Sequence, residues 1–298
     1  MIIQIENLTK FYGTARGIID MSLTVNEGEV FGFLGPNGAG KSTTIRTLLD
    51  LIRPTRGHAL IFGLDSHDDK LAIHRRVGLL PGDLALYPKL TGAQNLHYLA
   101  NLRGGVDWTF VKELAERLDA DLSRRVKDYS SGNRQKIGLI QALMHKPELL
   151  ILDEPTSGLD PLIQQTFYKL VKEAQAGGQT VFLSSHVLPE VERICDRVGI
   201  IREGRLVTVE KVADMKARAL RRLEIVFEGD VPAEHFRTVP GVRDVMVHDN
   251  HLICTIAGSM DALVKAAAQH TVTNLISREP NLEEIFLTYY GKEGEDVE

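Results

Sequence analysis

The chain has 298 residues, enough for one large and one small domain, and its 43% hydrophobic content suits a protein that buries a core. A formal charge of −5 argues against a general nucleic-acid binder, so no nucleic-acid partner is expected. Met1 to Glu6 show no basic stretch leading into an apolar run, and no apolar run is long enough to span a bilayer; the sequence predicts neither signal peptide nor membrane span.

In chain order, residues 2–8 alternate as a strand, and Glu29 to Leu34 forms a short buried one. Gly35-Pro36-Asn37-Gly38-Ala39-Gly40-Lys41-Ser42-Thr43 follows, a complete G-x-x-x-x-G-K-[ST] phosphate loop. A helix then runs from Thr43 to Leu51, with Ile45, Leu48, Leu49 and Ile52 at core spacing. Strand, glycine loop and helix make up the context this motif requires. The glycines let consecutive N–H groups turn inward around phosphate oxygens at a helix N-terminus. Lys41 can reach the β- and γ-phosphates, and the Ser42 hydroxyl can bind Mg²⁺. A nucleoside triphosphate is the expected ligand.

Helical stretches follow at Lys70 to Arg75, Thr91 to Leu102, and from Asp107 onward, where Phe110, Leu114 and Leu118 share a face. Tyr129-Ser130-Ser131-Gly132-Asn133 leads into another helix; taken alone, it is a good N-cap. Leu149 to Asp153 is wholly apolar until its last residue, as in a parallel strand covered on both faces. It ends in Asp153-Glu154, at the strand end where ligands sit in open α/β sheets. One carboxylate there can hold Mg²⁺, directly or through water, and the next can polarise an attacking water. Ser157-Gly158-Leu159-Asp160-Pro161 is a tight turn into a helix. Thr180 to Ser184 is another strand of this kind, closed by Ser185-His186, and Glu203-Gly204 marks a hairpin. Cys195 and Cys254 lie in apolar surroundings without metal spacing, as buried thiols of a reducing compartment do.

Composition shifts to a charged helix from about Glu210 to Arg222. Beyond it the expected order is strand 223–228, helix 233–239, a hairpin of 242–248 and 251–257, helix 260–270 and strand 271–277. That order is a ferredoxin-like split βαβ unit. A last helix follows Pro280, with Leu282, Ile285, Phe286 and Tyr289 on one stripe. The fold class is therefore α/β with a small α+β C-terminal domain, divided as 1–215 and 216–298.

The phosphate loop alone leaves kinases, GTPases and transport ATPases open. Gly35 to Thr43, Ser130/Gly132, Leu149 to Pro155, Ser157 to Asp160 and His186 together resemble, in order and spacing, the ATP-binding cassette (ABC) ATPases. The resemblance covers about residues 2–215. Within that superfamily the chain looks like the separate ATP-binding subunits of bacterial ABC-2 type exporters, and Leu282 to Leu287 more weakly resembles their C-terminal extension.

The resemblance implies a P-loop ABC ATPase core with a helical subdomain. It implies that Tyr12 stacks on adenine while Phe11 is core, and that Gly35 to Thr43 bind nucleotide. Ser42 and Asp153 would hold Mg²⁺, Glu154 would be the catalytic base, and His186 the γ-phosphate sensor. Ser130 and Gly132 would contact ATP held by the opposite subunit, and Asp160 would link the two halves. The implied partners are a second cassette in a head-to-tail dimer and a polytopic membrane permease, with the protein peripheral on the cytoplasmic face of the cell membrane. Two positions depart from the pattern. Gly82 stands where the family usually has glutamine, with Asp83 the nearest substitute, and the Leu-Ser-Gly-Gly-Gln element reads Tyr129-Ser130-Ser131-Gly132-Asn133. Rival readings are a soluble ABC protein acting on ribosomes or nucleic acid, and a regulatory nucleotide-binding module.

Overall fold

The computed structural model describes residues 1–218 and 221–278, in two compact units, 1–210 and 211 onward. The division falls at the composition shift near Glu210, five residues before the expected 215/216 boundary.

The first unit contains two sheets. β1 (Ile3–Tyr12) and β2 (Ala15–Val25) form an antiparallel pair, extended by β4 (Arg56–Ile61) and the short β5 (Leu64–Asp65) into the order β2-β1-β4-β5. The second sheet has six strands. β3 (Val30–Leu34), β6 (Val77–Leu80), β7 (Leu149–Asp153), β8 (Thr180–Ser185), β9 (Arg197–Arg202) and β10 (Arg205–Lys211) lie in the order β10-β9-β3-β8-β7-β6. The four contacts between β6, β7, β8, β3 and β9 are all parallel. β3, β7 and β8 are buried along their whole length, as a parallel strand covered on both faces must be.

Helix α1 (Lys41–Leu48) buries Ile45 and Leu48 in a core shared by both sheets, to which β1 gives Ile3 and Ile5 and β3 gives Phe31 and Phe33. Phe182 of β8 stacks on Phe31 with ring centroids 5.7 Å apart. α2 (Lys70–Arg76) precedes β6. A helical region follows, made of α3 (Gly92–Leu102), α4 (Trp108–Arg117) and α5 (Ser131–Leu143). Thr91 and Gln94 close a reciprocal capping box on α3, and Asp107 caps α4. α6 (Pro161–Ala176) and α7 (Leu188–Ile194) connect the later strands.

In the second unit, α8 (Val212–Arg218) precedes β11 (Arg221–Phe227), α9 (Ala233–Arg237), β12 (Val242–His248), β13 (His251–Ile256), α10 (Asp261–Ala267) and β14 (Val272–Arg278). The sheet order β12-β13-β11-β14, antiparallel throughout, is that of a ferredoxin-like unit. Phe227, Phe236 and Leu263 join strand and helix faces in one core.

Some sequence expectations shift. Charge assigns Arg221 and Arg222 to a helix, yet both pair with β13 and open β11. Phe11, expected in the core, is 38% exposed, because successive register shifts near the end of β1 turn both it and Tyr12 outward. Strands β2, β4 and β5 have no counterpart in the expected elements. The helix expected after Pro280 lies outside the described residues. Both cysteines are free and buried, and burial raises both thiol pKa values, that of Cys254 to about 11.

Candidate active site

The turn from β3 into α1 is the phosphate loop. Gly38 (φ 78°) and Gly40 (φ 113°) take left-handed backbone conformations that other residues rarely adopt, and at Gly40 a Cβ would come 2.9 Å from Gly17 O. The loop is anchored at its base, where Gly35 N donates to Ser185 O of β8 at 3.2 Å. Lys41 is only 6% exposed. Its ammonium donates to Gly35 O at 2.6 Å and Pro36 O at 3.2 Å, and lies 3.1 Å from Glu154 Oε1.

Glu154 follows β7 directly, at φ 50°. That turn separates it from its neighbour Asp153, which is buried. The Ser184 hydroxyl donates to Asp153 Oδ1 at 2.5 Å and accepts from Glu154 N at 3.1 Å. Glu154 Oε2 lies 2.8 Å from His186 Nδ1, and Gln135 of α5 donates to the carbonyls of Glu154 and Pro155. Lys41, Glu154 and His186, far apart in sequence, thus form one polar chain at the strand ends.

A cavity of about 320 Å³ opens beside this chain, lined by Gly38, Gly40, Lys41, Ser42, Thr43 and Glu154. Arg16 and Gly17, at the start of β2, complete the wall. The sequence analysis does not single them out. Gly17 admits the close approach of Thr43 and Tyr12, whose atoms lie 3.0 and 3.2 Å from where its Cβ would be. Tyr12, 45% exposed, therefore stands beside the cavity with its ring in reach of a ligand.

Ser130, Gly132 and Asp160 are elsewhere. They line a second cavity of about 660 Å³ with Asn133 and Gly158, and the two cavities share no residue. A Cβ at Gly132 would lie 2.6 Å from Gly158 O, so glycine is what lets these two turns meet. Ser130 caps α5 by accepting from Asn133 N, and Asp160 caps α6 by accepting from Leu162 N and Ile163 N. Gly82 sits against Asp153, Oδ2 lying 2.9 Å from the position of its missing Cβ. Asp83 is drawn away to Arg46 Nη2, at 2.6 Å.

The family model for ABC transporters matches residues 18–157. The bacitracin transport ATP-binding protein BcrA of Enterococcus faecalis is 35% identical over 98% of this chain and 97% of its own length. This chain belongs to the ABC transporter ATP-binding proteins. As a member, the cassette binds ATP and hydrolyses it. The linearmycin resistance ATP-binding protein LnrL of Bacillus subtilis is also 35% identical, over 98% of this chain and 99% of the relative. Among solved structures, an ATP-binding subunit of an ABC transporter superposes with a TM-score of 0.66 at 31% identity, over 72% of this chain and 92% of that chain. A cassette dimer in a post-hydrolysis state with ADP and Pi shares the fold, at TM-score 0.65 and 23% identity.

Proposed function

We propose that this cassette drives an ABC-2 type exporter, working as a head-to-tail dimer under a separate polytopic permease at the cytoplasmic face of the cell membrane. The observation that carries the reading is Glu154, held between Lys41 and His186 at the edge of the phosphate-loop cavity. In this reading Lys41 and the loop N–H groups from Gly35 to Thr43 take the phosphates, and Tyr12 stacks on the base. Glu154 Oε2 accepts the proton of the attacking water, and His186 senses the γ-phosphate. The donors present suit Mg²⁺: a hydroxyl from Ser42 and a buried carboxylate from Asp153 fixed by Ser184. Phosphates and water would supply the remaining ligands. Bound there, Mg²⁺ would neutralise phosphate charge.

Among the described residues no helix is long and apolar enough to cross a membrane, which supports a separate permease. A groove of about 1060 Å³ lined by Leu49, Leu71, Leu79, Leu99, Leu102 and Met144 supports a docking place for it. The names of the relatives, ATP-binding proteins of bacitracin transport, linearmycin resistance and fluoroquinolone export, favour an antimicrobial cargo, held by the permease.

The test is Glu154→Gln. Turnover should fall about 10²–10⁴-fold with ATP binding retained. The tagged variant, purified from detergent-solubilised cells with ATP, should bring down a polytopic membrane protein. Wild-type turnover, or only soluble or ribosomal partners, would defeat the proposal.

A further inference from the structure

The two side chains that flank Ser130 and Gly132 both end on the backbone of one residue, Asp121. Tyr129 precedes Ser130, is buried, and donates its hydroxyl to Asp121 O. Asn133 follows Gly132 in the first turn of α5. Its amide nitrogen donates to the same Asp121 O at 3.3 Å, and its Oδ1 accepts from Asp121 N at 3.1 Å. A backbone N–H and C=O that leave water need partners, and at Asp121 these two side chains supply both. The Asn133 amide is thereby turned to the chain's own backbone.

Asp121 belongs to a segment that is itself anchored. Gly92 N and Ala93 N, at the start of α3, donate to Arg124 O at 3.2 Å and to Leu122 O at 3.0 Å. α3 begins with a glycine where the Tyr129 hydroxyl passes, and a Cβ at Gly92 would collide with that hydroxyl. The Ser130 element has other ties, which run elsewhere. Gln135 reaches the Glu154 and Pro155 carbonyls, and Lys136, further along α5, reaches Asp119. Arg134 returns to Tyr129 O, and Ser130 Oγ accepts from Asn133 N, both within the element. Tyr129 and Asn133 thus join the element to the segment that α3 holds.

We infer that Tyr129 and Asn133 are positioning residues for the ATP of the opposite subunit: by clamping Asp121 together, they fix where Ser130 and Gly132 stand. The inference rests on the proposed head-to-tail dimer. Loss of the clamp misplaces a contact to the opposite ATP and should lower kcat/KM for ATP. ADP lies on the phosphate loop of the copy that binds it, so its affinity should not change. A merely structural role would instead weaken the copy that carries the substitution, its own phosphate loop included.

The full-length protein tests this. Tyr129→Phe with Asn133→Ala removes all three hydrogen bonds, keeps the ring and favours the helix. Its kcat/KM for ATP should fall about tenfold or more, with Kd for ADP within about twofold of wild type. Tyr129→Phe alone loses one hydroxyl; it serves if the double variant does not fold, and should cost about threefold. Mixed in equal amounts with Lys41→Ala subunits, the clamp variant should restore a burst of ATP hydrolysis at the wild-type rate. Both defects then fall on one site of each mixed dimer, and the other site is whole. Unchanged kcat/KM in the folded variant would overturn the assignment. So would a parallel loss of ADP binding, or a mixture without that burst. Ser130→Arg, mixed with Lys41→Ala in the same way, separates the two ideas. No burst there brings down the dimer reading and this inference together. A burst there, with none from the clamp variant or with its kcat/KM unchanged, brings down this inference alone.

Discussion

At Glu154 the backbone takes φ 50°, a left-handed conformation that costs a non-glycine residue about 1 kcal/mol or more. The turn sends two adjacent carboxylates to different tasks, Asp153 into a buried bond with Ser184 and Glu154 toward Lys41 and His186. Gly82 belongs to the same arrangement. Its missing side chain is what leaves room for Asp153 Oδ2, and Asp153 is not free to yield because Ser184 holds its other oxygen. Restoring the family's usual residue should therefore harm this protein. Gly82→Gln is expected to cost about 1–3 kcal/mol of stability through overpacking and to raise the Mg²⁺ concentration needed for turnover. Urea unfolding and a Mg²⁺ titration of the ATPase check this, and a variant as stable and more active would count against it. A different residue sets an acid limit. The half-buried His145 ring donates from Nε2 to Val77 O, and its Nδ1 has no hydrogen-bond partner. Burial, with the Arg103 charge adding, lowers its pKa to about 4. The unfolded chain takes up that proton near pH 6.5 and the native one does not. Stability should thus fall as pH drops from about 6.5 toward 4, by ~1 kcal/mol after solvent screening. His145→Phe should flatten that part of a Tm-against-pH curve.

At the scale of elements, residues proposed to serve a second subunit also hold up their own helices. Asp160 accepts from two N–H groups at the start of α6, ahead of Pro161 at the first helical position. Asp160→Ala should lose about 1 kcal/mol, while Asp160→Asn keeps the cap, so the pair separates a capping role from a charge role in chemical denaturation and ATPase assays. The same double duty explains what sequence could show. The phosphate loop, Asp153-Glu154 and the two buried strands were legible because their residue types are dictated locally, by glycine geometry and by burial on both faces. Ser130 was legible as a cap but not as a lining of the second cavity, because Gly158, which completes that cavity, comes from a turn 28 residues on. β2 was missed although Met21, Leu23 and Val25 alternate with Ser22 and Thr24, because register shifts from Ile5 to Phe11 break the period over the rest of the β1–β2 pair. Arg16 had no signal at all. Its place in the nucleotide cavity exists only once β2 has folded back on β1.

For the whole molecule the deciding fact is the separation of two half-sites. The cavity at Lys41 and the cavity at Ser130 share no lining residue, and in the proposed dimer a single copy would supply the phosphate loop to one site and Ser130, Gly132 and Asp160 to another. If two copies pair head-to-tail, each ATP lies between the phosphate loop of one and the Ser130 element of the other. Lys41→Ala then kills the site to which its own loop belongs, and Ser130→Arg kills the site across from it. In a dimer of one Lys41→Ala copy and one Ser130→Arg copy, both defects fall on the same site and the other site is whole. Each variant alone should be inactive, and an equal mixture should recover about a quarter of wild-type turnover, since half the dimers are mixed and each has one sound site of two. Exchange of subunits is verified by differently sized tags. Mixed dimers that form and remain dead would show either that each copy completes its own site or that both sites must fire together, and the single-site burst of ATP hydrolysis distinguishes these. A recovered rate would place Ser130 across the interface from Lys41.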